Sequence, residues 1–249
     1  MTESMDTDAA TVVLVHGAFA DASSWNGVIT RLQSKGIPVT APANPLRGIA
    51  EDAAYIAAVF AQIEGSVLAV GHSYGGAVIT NAATNAKNVV GLVYVAAFAP
   101  EEGEALGVVE AGSKDSVLNS ALVPRTYPTA GGASATEFSI DPAKVRDAFA
   151  GDLSDGQTAL IAATQRPVAE SAFSEPNGPP AWKHLPSWAV VATADRAAGA
   201  DVTRSMAERA GAKITEVDGS HVIMVSQPEA VTNVILEAVA TVTDVPNGA

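Results

Sequence analysis

Short, continuous apolar runs alternate along this chain with longer stretches in which apolar residues recur at every third or fourth position. The first run, Thr11–Val15, is wholly aliphatic or β-branched, as a strand buried on both faces requires. Between 23 and 35, Trp25, Val28, Ile29 and Leu32 fall at i, i+3, i+4 and i+7, one face of a helix, and Gly36 supplies its stop. A second strand is expected over 37–41, cut off by Pro42, with a loop from there to Gly48. The helical period returns over 51–63, with Ile56, Val59, Phe60 and Ile63 on one stripe and Glu51 and Asp52 as helix-start residues. An apolar run from Val67 leads to Gly71, a helix follows to about Ala86, and 89–96 is again continuously apolar.

From 98 to 185 the rhythm breaks into Gly, Ala, Ser and Pro, with weak helical patterns near 116–122, 142–149 and 155–163. Excursions of that length usually carry function, and this one reads as an inserted helical cap within the same domain. The alternation then resumes. A strand over 187–193 ends at Asp195, and a helix capped by Asp201 is stopped by Gly211. A strand over 213–217 leads to a loop carrying His221. Ser226-Gln227-Pro228-Glu229 reads as a capping box that starts the last helix. The pattern predicts an α/β fold: a mostly parallel, doubly wound sheet of about six strands with helices on both faces. The core comprises 11–97 and 186–245, and residues 1–10 form a loose tail.

The richest stretch is Gly71-His72-Ser73-Tyr74-Gly75-Gly76. A Ser between glycines, after a strand and before a helix, is a nucleophile elbow. The sharp turn lifts the hydroxyl clear of the sheet edge, and the helix N-terminus favours a developing negative charge. A serine nucleophile needs a base, and the base needs an acid that fixes its tautomer. The chain has four His. His72 lies inside the elbow and points away from the neighbouring hydroxyl. His16 ends the first strand and reads as structural, while His184 lies in the return from the cap. His221, in a polar loop after the last strand, is the candidate base. Asp195 directly follows a strand, at the carboxyl edge where such sheets bind ligands, and is the candidate acid. Asp218 lies too near His221 along the loop. The oxyanion donors are the N–H of Tyr74 and that of Ala18, with Phe19 as the alternative.

Composition narrows the partners. A net charge of −13 lacks the basic footprint of a nucleic-acid binder and opposes an anionic membrane surface. With no Cys, thiolate nucleophiles, disulfides and Cys-based metal sites are excluded, and no metal or cofactor is expected. The N-terminal segment shows no leader pattern, so a cytoplasmic location is expected. A homodimer is compatible with this composition.

These residues resemble the α/β-hydrolase fold over nearly the whole chain. Within it they resemble the small esterases grouped with plant methyl-salicylate-type esterases, hydroxynitrile lyases and bacterial pyrethroid-type carboxylesterases. The matching segments are Val13-Leu14-Val15-His16-Gly17-Ala18-Phe19, the elbow, Ala192-Thr193-Ala194-Asp195-Arg196, Met206 to Ala212, and Gly219-Ser220-His221 with Ser226 to Glu229. The resemblance implies a serine hydrolase acting on an ester or lactone, with Ser73, Asp195 and His221 as its triad. Lyases of the group carry Lys after the catalytic His and Thr after the first-loop His. Here these positions hold Val222 and Gly17, which disfavours cyanohydrin cleavage. Relatives often carry Pro after the acid, where this chain has Arg196 to Ala200. Phe19 and Val222 are expected at the substrate pocket, with Val108, Val109, Leu118, Leu122, Phe138, Phe149 and Phe173 as cap-side candidates. An apolar cap and acidic surface point to a small, neutral, moderately hydrophobic ester or lactone. The alternatives are a non-catalytic small-molecule receptor, or a lyase or acyltransferase, on the same fold.

Overall fold

The computed structural model of the chain describes residues 9–243. The elements run β1 (Thr11–Val15), α1 (Asn26–Ser34), β2 (Val39–Thr40), α2 (Ile49–Ala61), β3 (Val67–His72), α3 (Tyr74–Ala82) and β4 (Val89–Val95). An excursion follows through α4 (Leu106–Ala111), β5 (Leu122–Pro128), β6 (Ser134–Ile140), α5 (Val145–Ala148), α6 (Asp155–Thr164), β7 (Val168–Ala169) and α7 (Ser171–Ser174). The chain ends through β8 (Ser187–Ala192), α8 (Ala200–Arg209), β9 (Lys213–Val217), α9 (Ile223–Ser226) and α10 (Pro228–Thr243).

The main sheet has six strands in the order β2-β1-β3-β4-β8-β9, and every pair is parallel. β1, β3, β4 and β8 are continuously apolar because both faces are covered. The chain steps outward from β1 to β2, then crosses back to β3. Right-handed crossovers therefore put α1 on one face and α2 and α3 on the other. The helix contacts agree: α1 packs on α10, and α2 on α3. The reversal at β1 makes the carboxyl ends of β1 and β3 the topological switch point, where such sheets leave a crevice.

Several expectations shift locally. The second strand shortens to Val39–Thr40 because Pro38 and Pro42 flank it and cannot donate to a ladder. The second helix starts at Ile49, with Gly48 at φ 149° before it. Asp201 is not a cap. Gly199 (φ 88°) takes that position, and Asp201, in the first turn, accepts from Ser113 Oγ at 2.5 Å and Lys114 N–H at 2.8 Å. That carboxylate ties the excursion to the core. Ser226 does not open the last helix. It closes the single turn α9, and Pro228 opens α10, where its missing N–H costs nothing. The excursion is also not helical throughout: β5, β6 and β7 form a three-stranded antiparallel sheet. β5 tolerates Pro124 and Pro128 because it is the edge strand. Of the tail read over 1–10, residues 1–8 lie outside the described residues, and Ala10 is already buried. Residues 244–245, read as core, also lie outside the described residues. Among the described residues no helix is long and apolar enough to cross a membrane.

Two glycines separate packing from propensity. A Cβ on Gly75 would stand 2.4 Å from the Val15 carbonyl oxygen, backbone against backbone. Gly75→Ala is expected to lower unfolding free energy by about 3 kcal/mol, the upper end of overpacking costs. Gly156 in α6 meets nothing within 4 Å, so Gly156→Ala is expected to stabilise by about 0.5–1 kcal/mol. Urea denaturation midpoints of the two variants against the parent check both signs.

Candidate active site

Ser73 connects β3 to α3 at φ 54° and ψ −123°, a sparsely populated conformation costing on the order of 1–3 kcal/mol. The neighbours hold it there. Ser73 N–H donates to Val95 O at 3.2 Å, and its carbonyl accepts from Gly76 N–H at 2.9 Å and Phe98 N–H at 3.2 Å. A Cβ on Gly71 would lie 2.5 Å from Gly75 O, and one on Gly17 would lie 2.7 Å from Ser73 Cβ. The first-strand loop and the elbow thus press against each other, and only glycine fits at the contact.

Asp195 and His221 follow the carboxyl ends of the neighbouring parallel strands β8 and β9, which brings them together. His221 Nδ1–H donates to Asp195 Oδ2 at 2.8 Å, and both side chains are buried. The other oxygen, Oδ1, accepts from the N–H groups of Ala197 at 2.8 Å and Ala198 at 3.1 Å. The Arg196 to Ala200 segment therefore aims the carboxylate through its own main-chain N–H groups. Since the carboxylate only accepts, the imidazole proton sits on Nδ1 and the lone pair on Nε2. Nε2 is buried with no hydrogen-bond partner, so no bond to Ser73 Oγ is made in this state. Such bonds often form only when substrate binds. Asp218 lies elsewhere, accepting from Thr193 Oγ1 at 3.3 Å.

The other histidines are scaffolding. His72 Nε2 donates to the carbonyl of His221 itself at 3.0 Å, and the two rings stand 4.7 Å apart. Burial, then the nearby His221, hold the His72 pKa well below 6.5, so its ring stays neutral. Sequence reasoning gave His72 no role, because a contact across 149 positions leaves no local signal. His16 Nδ1 donates to Gly17 O at 2.9 Å, and its Nε2 accepts from Asn44 N–H at 2.9 Å. It locks the first-strand loop to the 42–48 loop. His184 lies in the return to β8, beyond the 3₁₀ turn Ala181–Lys183, and its N–H donates to Ala181 O.

Tyr74, Ala18 and Phe19 N–H groups donate to no protein acceptor among the described residues. Phe19 has φ 61° and is buried. Its ring stands 6.2 Å from Phe149 and 6.4 Å from Phe173, and Phe149 stands 5.0 Å from the His221 ring. Phe19, Phe149 and Val222 line a cavity of about 250 Å³ with Leu160 and Ile161. Phe98, Val108, Leu118, Leu122, Phe138 and Phe173 line another of about 370 Å³. Val109 lines neither. A third, polar cleft of about 740 Å³ includes His221, Asp152, Ser220, Arg146 and Arg196. Ser73 lines none of the three. Ser220 Oγ donates to Asp152 of the excursion, which anchors the loop beside His221.

One buried acid was read as a helix-start residue only. Asp52 is fully buried and accepts from Tyr74 OH at 2.7 Å. The available signal was its spacing: Asp52, Ile56 and Phe60 share one helical stripe. No group of three His, Asp or Glu side chains among the described residues comes together as a metal site.

The model of a family described as "Alpha/beta hydrolase family" matches residues 12–234. Curated proteins gave no match. Among solved structures, the chain is similar to polyneuridine aldehyde esterase, with 21% identity over 92% of this chain and 99% of that one and a TM-score of 0.78. It is similar to a pyrethroid hydrolase from Sphingobium faniae JZ-2, with 21% identity over 95% and 98% and a TM-score of 0.75. A methylesterase protein from Arabidopsis gives 18% identity over 93% and 99%, with a TM-score of 0.76. At these identities the structures establish a shared fold.

Burial and Arg166, against the Gly17 hydrogen bond and Asp21, lower the pKa of His16 from 6.5 to about 4. Between those values the unfolded chain binds a proton that the folded chain refuses. Stability is therefore expected to fall as pH drops from 6.5 towards 4. The His16 ring resonance is expected to titrate near pH 4, and NMR titration of the imidazole protons checks it.

Proposed function

The chain belongs to the alpha/beta hydrolase family, and from that premise we propose that it is a serine hydrolase cleaving a small, neutral, moderately hydrophobic carboxylic ester or lactone. The observation that carries the reading is the buried Asp195–His221 bond of 2.8 Å. It leaves the lone pair of Nε2 buried and unpartnered, at the sheet edge that carries Ser73. A ring nitrogen with no hydrogen-bond partner, at the same sheet edge as a serine in a strained turn, supports activation of a hydroxyl.

In this mechanism Ser73 Oγ attacks the carbonyl carbon while His221 Nε2 takes its proton. The negative charge that forms on the carbonyl oxygen meets the N–H groups of Tyr74 and Ala18, with Phe19 N–H as the alternative second donor. Each such donor is typically worth about 2.7–4 kcal/mol of transition-state stabilisation. The imidazolium, steadied by Asp195, returns the proton to the leaving alkoxide, and an acyl group remains on Ser73. Water then gives a proton to His221 and its oxygen to the acyl carbon; the bond from that carbon to Ser73 Oγ breaks, His221 passes the proton to Oγ, and the acid leaves. The two apolar cavities, lined by Phe19, Val222 and Phe149 on one side and by Phe98, Phe138 and Phe173 on the other, suit a neutral, apolar ester. The net charge of −13 repels anionic substrates, nucleic acid and anionic membranes. Val222, in place of an ammonium side chain, favours hydrolysis over cyanohydrin cleavage.

With p-nitrophenyl acetate the protein is expected to release a burst of p-nitrophenol stoichiometric with enzyme. Ser73→Ala is expected to abolish both the burst and labelling by a fluorophosphonate. Asp195→Asn, which leaves the shape intact but upsets the tautomer, is expected to lower kcat by about 10⁴-fold. Undiminished turnover in Ser73→Ala, or tight ligand binding without turnover in the parent, would overturn the assignment.

A further inference from the structure

Burying a carboxylate is costly unless it is well partnered, and an apolar pair in its place is often as stable. Asp52 is therefore conspicuous. Its carboxylate and the Tyr74 ring are both fully buried between α2 and α3. Asp52 Oδ2 accepts from the Tyr74 hydroxyl at 2.7 Å. Both carboxylate oxygens also lie 3.1 Å from the Arg47 N–H. Asp52 sits in the first turn of α2, where the helix dipole favours a negative charge. Burial raises the Asp52 pKa, while the Tyr74 and main-chain hydrogen bonds hold it down. Burial and the facing carboxylate push the Tyr74 pKa well above 10.0, so the phenol keeps its proton and donates.

Tyr74 is also the residue directly after Ser73, and its main-chain N–H is an oxyanion donor in the reading above. An oxyanion donor must lie about 2.7–3.1 Å from the oxygen it serves, and a misplacement of about 1 Å can cost 10²-fold in rate. The side chain of Tyr74 has few rotatable bonds, and its far end is fixed by Asp52. We propose that Asp52 is a positioning residue of the oxyanion hole: it anchors the Tyr74 phenol to the start of α2 and thereby fixes the direction of the Tyr74 N–H. The inference rests on the serine-hydrolase reading. Asp52 touches no substrate in it and moves no proton.

The test is a double-mutant cycle of Tyr74→Phe and Asp52→Asn, both nearly isosteric. Burst kinetics with p-nitrophenyl acetate are measured alongside inhibition by a phenylboronic acid, whose tetrahedral adduct on Ser73 carries an oxygen into the oxyanion hole. Each single variant is expected to lower kcat about tenfold or more, within the range for a slightly misplaced group, with KM unchanged. The boronate inhibition constant is expected to rise by the same factor as kcat/KM falls. The double variant is expected to be no slower than the slower single. Losses that multiply, or a lowered Tm with kcat and boronate affinity unchanged, would overturn the proposal. If Asp52→Asn does not fold, Tyr74→Phe decides alone: unchanged boronate affinity sinks the idea. A parent protein with neither p-nitrophenol release nor fluorophosphonate labelling would overturn the serine-hydrolase reading and this proposal together. A parent burst with unaltered variants removes this proposal only.

Discussion

The backbone of α3 touches the backbone at the end of β1 with no room for a side chain. A Cβ on Gly75 would stand 2.4 Å from Val15 O, and one on Gly17 would stand 2.7 Å from Ser73 Cβ. That contact makes the left-handed turn at Ser73 the one that fits. It places the His16-to-Phe19 loop against the serine. The strain at Ser73 persists because β1, β4 and α3 all hold it through main-chain atoms. Side-chain packing is more forgiving than backbone contact, so the geometry here is less adjustable than in the apolar cavities above it.

Around this contact the titratable groups are sorted by burial. Burial lowers the pKa of both His16 and His72; His16 clamps Asn44, and His72 Nε2 holds the carbonyl of His221 while its Nδ1 has no partner. Only His221 keeps a nitrogen without a structural partner while its other nitrogen faces an acid. Asp195 in turn is held by two N–H groups of its own loop.

Much of the core was legible in the sequence because parallel strands covered on both faces read as unbroken apolar runs. The elbow was legible because its glycines are forced by backbone contacts, which leave a local signature. Asp195 and His221 could be picked out as residues that follow strands at the carboxyl edge. What escaped was tertiary in origin. β5 has most of its positions exposed or half exposed and contains two prolines, so it lacks the alternation that marks a strand. Asp201 was read as a cap because acidic residues favour that place, yet Gly199 with its positive φ took it and freed the carboxylate to hold Ser113. Asp52 looked like an ordinary first-turn acid, and only its partner Tyr74 distinguishes it.

The excursion between β4 and β8 leaves and rejoins the sheet at neighbouring strands. The Leu92 N–H donates to Pro186 O and the Ala96 N–H to Val190 O, so the two strands that flank it are hydrogen-bonded to each other. The entropy of closing such a loop grows slowly with its length. Changes in the length of its exposed turns therefore cost the sheet beneath little closure entropy, while its buried residues, Phe149 among them, stay tied to the core. The exposed turns of the excursion are thus the part of this plan in which length can drift while the parallel sheet keeps its register.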